Sequence, residues 1–148
     1  MIRLVGEIFK LCEEDEDYEM FKDIGVDEES YSLEVHFDLN GAKTLKSKFE
    51  VALNEGKATL KVDESSFLEK EEIINEFKII SKKWPYSGGM FELDYSSKTL
   101  ILKMDSEVLE GEIKGFNDCI EGDDFFPPEI CDASYKDTKI SIYGYLLP

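Results

Sequence analysis

Residues 31–41 read YSLEVHFDLNG, and the conformation of this stretch decides the architecture. Tyr31, Leu33, Val35, Phe37 and Leu39 alternate with Ser32, Glu34, His36 and Asp38. Period-two alternation marks a strand with one buried face, because successive side chains of an extended chain point to opposite sides. Asn40-Gly41 comes immediately after. That pair is a strong hairpin signal, since a type I′ turn needs positive φ at both central residues. The expectation is therefore a hairpin whose return strand runs over 42–53, with Leu45, Phe49, Val51 and Leu53 on one face. Asn54-Glu55-Gly56 turns the chain again, and 57–62 supplies a third strand through Ala58, Leu60 and Val62.

Outward from that meander, one helix is expected over 66–83. Ser66 with Glu69 makes a capping box, Glu71 and Glu72 sit early, and Lys78, Lys82 and Lys83 sit late, as the macrodipole favours. Ile73, Ile74, Phe77 and Ile80 give it an apolar stripe, and Pro85 stops it. Residues 90–95 and 99–104 read as a second hairpin around Ser96-Ser97-Lys98. Residues 108–116 read as a weaker strand, 117–137 as a long ordered loop around Pro127-Pro128, and 139–147 as a buried strand. The first segment, 2–12, fits a strand better than a helix. No internal repeat is evident.

Composition bounds the class. The 148 residues suffice for one domain, 1–148, that folds unaided. Hydrophobic residues at 42% and aromatics at 12% argue against disorder despite the charge. No apolar run is long enough to span a bilayer, and the opening MIRLVGEIFKLCEE turns acidic too soon for a signal peptide. Cys12, Cys119 and Cys131 have no paired spacing and suit a reducing cytoplasm. The fold expected is α+β: a mostly antiparallel, twisted sheet of six to eight strands with one main helix packed on it.

Charge is the strongest functional signal. Asp and Glu number 34 against 17 Lys and Arg, a net charge of -17. The excess gathers in two runs, EEDEDYEMFKDIGVDEE over 13–29 and DCIEGDDFFPPEICD over 118–132. Self-repulsion on this scale points to a positive partner and argues against nucleic acid or an anionic membrane as direct partners. Both runs carry aromatics among carboxylates, which is how a surface anchors and steers a basic protein. The candidate contact residues are Asp118, Glu121, Asp123, Asp124, Phe125, Phe126, Glu129 and Asp132 in the second run, and Glu13, Glu14, Asp15, Glu16, Asp17 and Tyr18 in the first. Trp84 and Tyr86, flanking Pro85, form a further candidate surface. Phe125 and Phe126 are not expected both to be buried, and an exposed Phe ringed by carboxylates is the expected anchor.

Catalytic chemistry is not signalled. His36, the single histidine, falls on the polar face of its strand, without a nucleophile context or a metal-ligand companion. No phosphate-binding glycine loop is present, and the run over 13–17 lacks the calcium-loop pattern. No catalytic residue, cofactor or metal is assigned. The reading is a monomeric or weakly dimeric, cytoplasmic binding protein that neutralises a basic nucleic-acid-handling protein. Its setting is that of a bacterial immunity protein against a toxic nuclease, as in contact-dependent inhibition. The alternatives are a phage-type nucleic-acid mimic and an acidic secretion chaperone.

Overall fold

The strand at the heart of residues 31–41 is present, but Asp38, rather than Asn40-Gly41, sets the course of the chain beyond it. The computed structural model describes residues 1–10, 20, 29–66, 73–82, 89–94, 96–122, 124–125, 128–135 and 138–148. In it β1 spans Ile2–Lys10 and β2 spans Glu29–Phe37, paired antiparallel with Ile2 opposite Phe37. The Asp38 carboxylate accepts from the Gly41 amide at 2.7 Å, satisfying one of the amides that any helix leaves open at its start. A helix, α1, runs over Leu39–Glu55, in place of the turn and return strand that alternation and Asn-Gly suggest. Ala42, Leu45, Phe49 and Ala52 are its buried positions. They recur every three or four residues, the helical period, and that stripe outweighs the local turn preference of Asn-Gly. Gly56, at φ +97°, ends α1 in the left-handed region open to glycine.

The remaining order is β3 (Lys57–Ser66), β4 (Ile73–Ser81), β5 (Gly89–Asp94), β6 (Thr99–Met104), α2 (Ser106–Ile120), β7 (Glu129–Tyr135) and β8 (Thr138–Leu146). The hairpin of β5 and β6 and the strands β1, β3 and β8 stand where the sequence places them. The helix expected over 66–83 is not found in its described residues: Ser66 closes β3, and Ile73–Ser81 is β4, a strand between β3 and β6. Its isoleucines are β-branched and pack well on a pleated surface, with Ile74, Phe77 and Ile79 buried. The strand expected over 108–116 is instead α2. Asp105 caps it by accepting from the Glu107 amide at 2.9 Å, and Leu109, Phe116 and Cys119 are buried at helical spacing. The expected loop over 117–137 holds the end of α2 and all of β7.

Round the sheet the strands run β1-β2-β8-β7-β5-β6-β4-β3 and back to β1, a closed barrel. Antiparallel and parallel pairings alternate at every step, so the sheet is mixed rather than mostly antiparallel. Exchanging β1–β4 with β5–β8 leaves this order unchanged. The register repeats as well: Leu33 faces Ile142 and Val35 faces Gly144 across β2 and β8, as Leu100 faces Phe77 and Leu102 faces Ile79 across β6 and β4. Each half is two strands, an Asp-capped helix and two strands. The chain thus has the internal repeat that its sequence conceals.

The barrel closes through two parallel seams. At one, Val5 pairs with Ser66; the Ile2 amide donates to Asp63 Oδ2 (3.1 Å) and the Leu4 amide to Ser65 Oγ (2.8 Å), so side chains bridge where β3 bulges. At the other, Gly89 and Met90 pair with Ala133 and Ser134. One hydrophobic cluster takes in the inward face of the sheet and the buried faces of both helices. Its centre is aromatic: Phe116 meets Phe49 edge-on at 5.1 Å and Phe37 at 5.5 Å.

Candidate functional site

The second acidic run is dispersed by the fold. Asp118 and Glu121 sit at the end of α2, where Gly122, at φ +113°, turns the chain out of the helix. Asp124 is exposed just beyond it, Glu129 is exposed at the start of β7, and Asp132 lies half-buried on β7 and accepts from Ser141 Oγ at 3.2 Å. Asn117 Nδ2 donates to Glu121 Oε1 at 3.3 Å.

Phe125 is not an exposed anchor. It is 8% exposed, stacked on Phe116 at 5.0 Å and edge-on to Phe37 at 5.4 Å. Two glycines make room for it: a Cβ at Gly144 would lie 2.6 Å from its ring, and one at Gly115 3.2 Å. Phe125 therefore anchors the loop to the core, and the carboxylates beside it are presented without it. Glu13, Glu14, Asp15, Glu16, Asp17, Tyr18, Trp84, Tyr86, Asp123 and Phe126 lie outside the described residues.

What the fold assembles is a charge asymmetry. α1 carries Lys43, Lys46 and Lys48 against Glu50 and Glu55; β3 adds Lys57 and Lys61, β4 Lys78 and β6 Lys103. Against these, α2 sets Glu107, Glu110, Glu112 and Asp118 with one base, Lys114. The two helices touch where Lys46 Nζ donates to Asn117 Oδ1 at 3.0 Å. Charge is thus uneven between the helices, while the strands that bear lysines bear carboxylates as well: Asp63 on β3, Glu76 on β4 and, paired to Lys103 at 3.2 Å, Glu92 on β5.

Glu112 is the exception among the α2 carboxylates. It is half-buried, and burial pushes its carboxyl up to about 8. Its position in α2 matches that of the fully buried Leu45 in α1. Across from it on β7, the Cys131 thiol is pushed up to about 12, by burial first and then by the charge of Glu112. Burial, with the charge of Asp124, also raises Cys119. Both thiols stay protonated at neutral pH, and a thiol is not the nucleophile that a thiolate is. Among the described residues no three His, Cys, Asp or Glu side chains converge to hold a metal ion. An open cavity of about 300 Å³ lies where α1 begins, between Ile2, Thr44, Lys61 and Asp63. Its carboxylate is committed to the Ile2 amide.

No family model, curated protein or solved structure matches this chain. Its chemistry is read from its own surface.

His36 lies on the outward face of β2, as its place in the alternating strand implies. Its ring meets Tyr145 of β8 edge-on, with centroids 5.6 Å apart. Its Nε2 is covered and has no hydrogen-bond partner; Glu34 Oε1 stands 3.6 Å away. Tyr143 keeps the same outward alternation on β8. The alternation within KISIYGYLL carries this face in sequence, for Tyr143 and Tyr145 are two residues apart and share a side of any strand.

Among the described residues, no helix is long and apolar enough to cross a membrane.

Proposed function

We propose that this chain is an acidic binding protein that neutralises a basic, nucleic-acid-handling protein, as an immunity protein neutralises a toxic nuclease. The observation that supports the reading is the net charge of -17, with four carboxylates against one lysine on α2 and with Glu129 and Asp132 on β7. A nuclease must be basic to hold its substrate. A strongly acidic protein is drawn to such a partner's field before contact, which speeds association and competes with phosphate. Such a protein acts by occupation. It needs no catalytic group or cofactor, works in the reducing cytoplasm, and is a monomer or weak dimer when free.

The test is inhibition of a nuclease toxin encoded beside this chain, with association measured by stopped flow across a salt series. Stoichiometric inhibition is expected. The association rate should fall steeply between low and physiological ionic strength, because charges further apart than roughly 8 Å are screened there. A chain that leaves the toxin active, or a rate indifferent to salt, refutes the reading.

A further inference from the structure

We propose that the outward face of β2 and β8, formed by Glu34, His36, Tyr143 and Tyr145, is a docking surface for an arginine-bearing segment of a basic protein; this rests on the function proposed above. The strands are parallel neighbours, with Glu34 opposite Tyr143 and His36 opposite Tyr145. Two phenol rings, an imidazole and a carboxylate therefore stand together on one patch of sheet. Tyr145 is 42% exposed. Beside it stands the half-buried ring of His36, edge-on to Tyr145 with centroids 5.6 Å apart.

The charge of the surroundings selects the occupant. On the adjoining β7, Glu129 is opposite Tyr143 and Asp132 is opposite Ser141, which extends the negative edge of the patch. Arg3, opposite His36 on β1, is the cation at the other edge. A guanidinium is planar: it stacks on a phenol ring while donating in its own plane to a carboxylate. Lysine offers a point charge and no plane, so arginine suits this surface better.

The other half of the barrel supplies an internal control. At the matching positions of β4 and β6 stand Lys78, Ile80, Ile101 and Lys103, on strands paired in the same register. The backbone is therefore satisfied by isoleucine and lysine there, and the tyrosines, histidine and glutamate of β2 and β8 are not demanded by the fold.

The experiment uses the whole chain with nona-arginine and nona-lysine peptides at low salt. His36 is the only histidine, so its ring C–H signals in proton NMR report this face alone. Nona-arginine should shift those signals. Tyr145→Ile, which installs the residue found at the equivalent place, should weaken nona-arginine binding roughly 3- to 10-fold and nona-lysine binding less than about twofold. Glu34→Gln, a change that keeps shape, should weaken nona-arginine in the same range. If nona-arginine binds while the His36 signals stay fixed and both variants bind like wild type, this surface is wrong and the acidic-binder reading stands. If neither peptide binds even at low salt, both fall together.

Discussion

The first half of the barrel, β1–β4 with α1, and the second, β5–β8 with α2, share a backbone plan and differ in what they hang on it. Inward positions agree in character. Leu33 and Val35 on β2 match Leu100 and Leu102 on β6, and Phe49 and Phe116 stand equally far from their Asp caps and touch each other. Outward positions do not. Lys43 on α1 stands where α2 has Glu110, and Ile80 stands where the other half has Tyr145. A plan repeated twice with the same inside and two different outsides shows what the fold requires. What it leaves unconstrained is where binding specificity can reside. Glu112 breaks the pattern in the other direction, being a polar group at an inward position where its counterpart is Leu45.

The largest effect should come from breaking the shared interior. Phe116 packs on Phe37, Phe49 and Phe125 at once. Phe116→Ala should cost about 3–5 kcal/mol, the usual range for emptying a phenylalanine site in a core that cannot collapse. Phe49→Ala should cost less, because its ring meets the cluster through Phe116. Urea unfolding of the two variants measures the difference. Equal costs would mean that the halves contribute symmetrically to the centre.

Glu112 sharpens the comparison next, through pH. Its carboxyl titrates near 8 when folded and near the ordinary 4.5 when unfolded. Below 4.5 both states hold the proton, and the group is neutral with respect to pH. Between 4.5 and 8 the unfolded chain has lost a proton that the folded chain keeps, so stability falls as pH rises through this window. The loss should be about 2–3 kcal/mol, below the full value of such a shift because the side chain is only partly buried. Glu112→Gln removes the proton and should flatten the profile between pH 5 and pH 8. Glu112→Leu, the residue of α1, should both flatten it and raise stability at pH 8. Self-repulsion among the other carboxylates also grows with pH, but it is common to all three proteins and cancels in the comparison. A variant profile as steep as that of wild type would place the buried charge elsewhere.

The fold was legible in sequence wherever one strand face is buried and the other polar. β2 and β3 can be read from alternation and the β5–β6 hairpin from its turn, whereas β8 reads as a strand apolar on both faces and 2–12 fits a helical stripe almost as well as a strand. It failed where local signals compete with tertiary ones. Asn40-Gly41 is a turn signal, yet Asp38 upstream and the Ala42–Leu45–Phe49–Ala52 stripe recruit it into a helix. Ser66 and Glu69 imitate a helix start, yet the isoleucines of β4 are taken up by pairing with β3 and β6. Gly111 and Gly115 disguise α2, and the second of them is there to admit Phe125. Phe125 illustrates the limit for the site: flanked by carboxylates it reads as exposed, and only the notch at Gly144, remote in sequence, makes it core. The acidic character of the protein could be read from composition, whereas the dispersal of its second acidic run over α2 and β7 is a product of topology.

The smallest expected effect tests whether outward positions are free, and it uses two adjacent residues of β4. Ile79 points inward and is fully buried opposite Leu102, whereas Ile80 points outward opposite Lys103. Tyrosine is at home in strands, so backbone preference is the same for both sites. Ile79→Tyr must fit a larger ring and a hydroxyl into a filled core and should cost at least about 2 kcal/mol. Ile80→Tyr copies Tyr145 onto the equivalent surface and should change stability by less than about 0.5 kcal/mol, as surface substitutions usually do. Denaturant midpoints at one pH suffice to compare them. A large cost at Ile80 would show that the lysine-bearing face is itself constrained by packing, and the exposed ring of Tyr145 could then no longer be ascribed to binding by contrast with it.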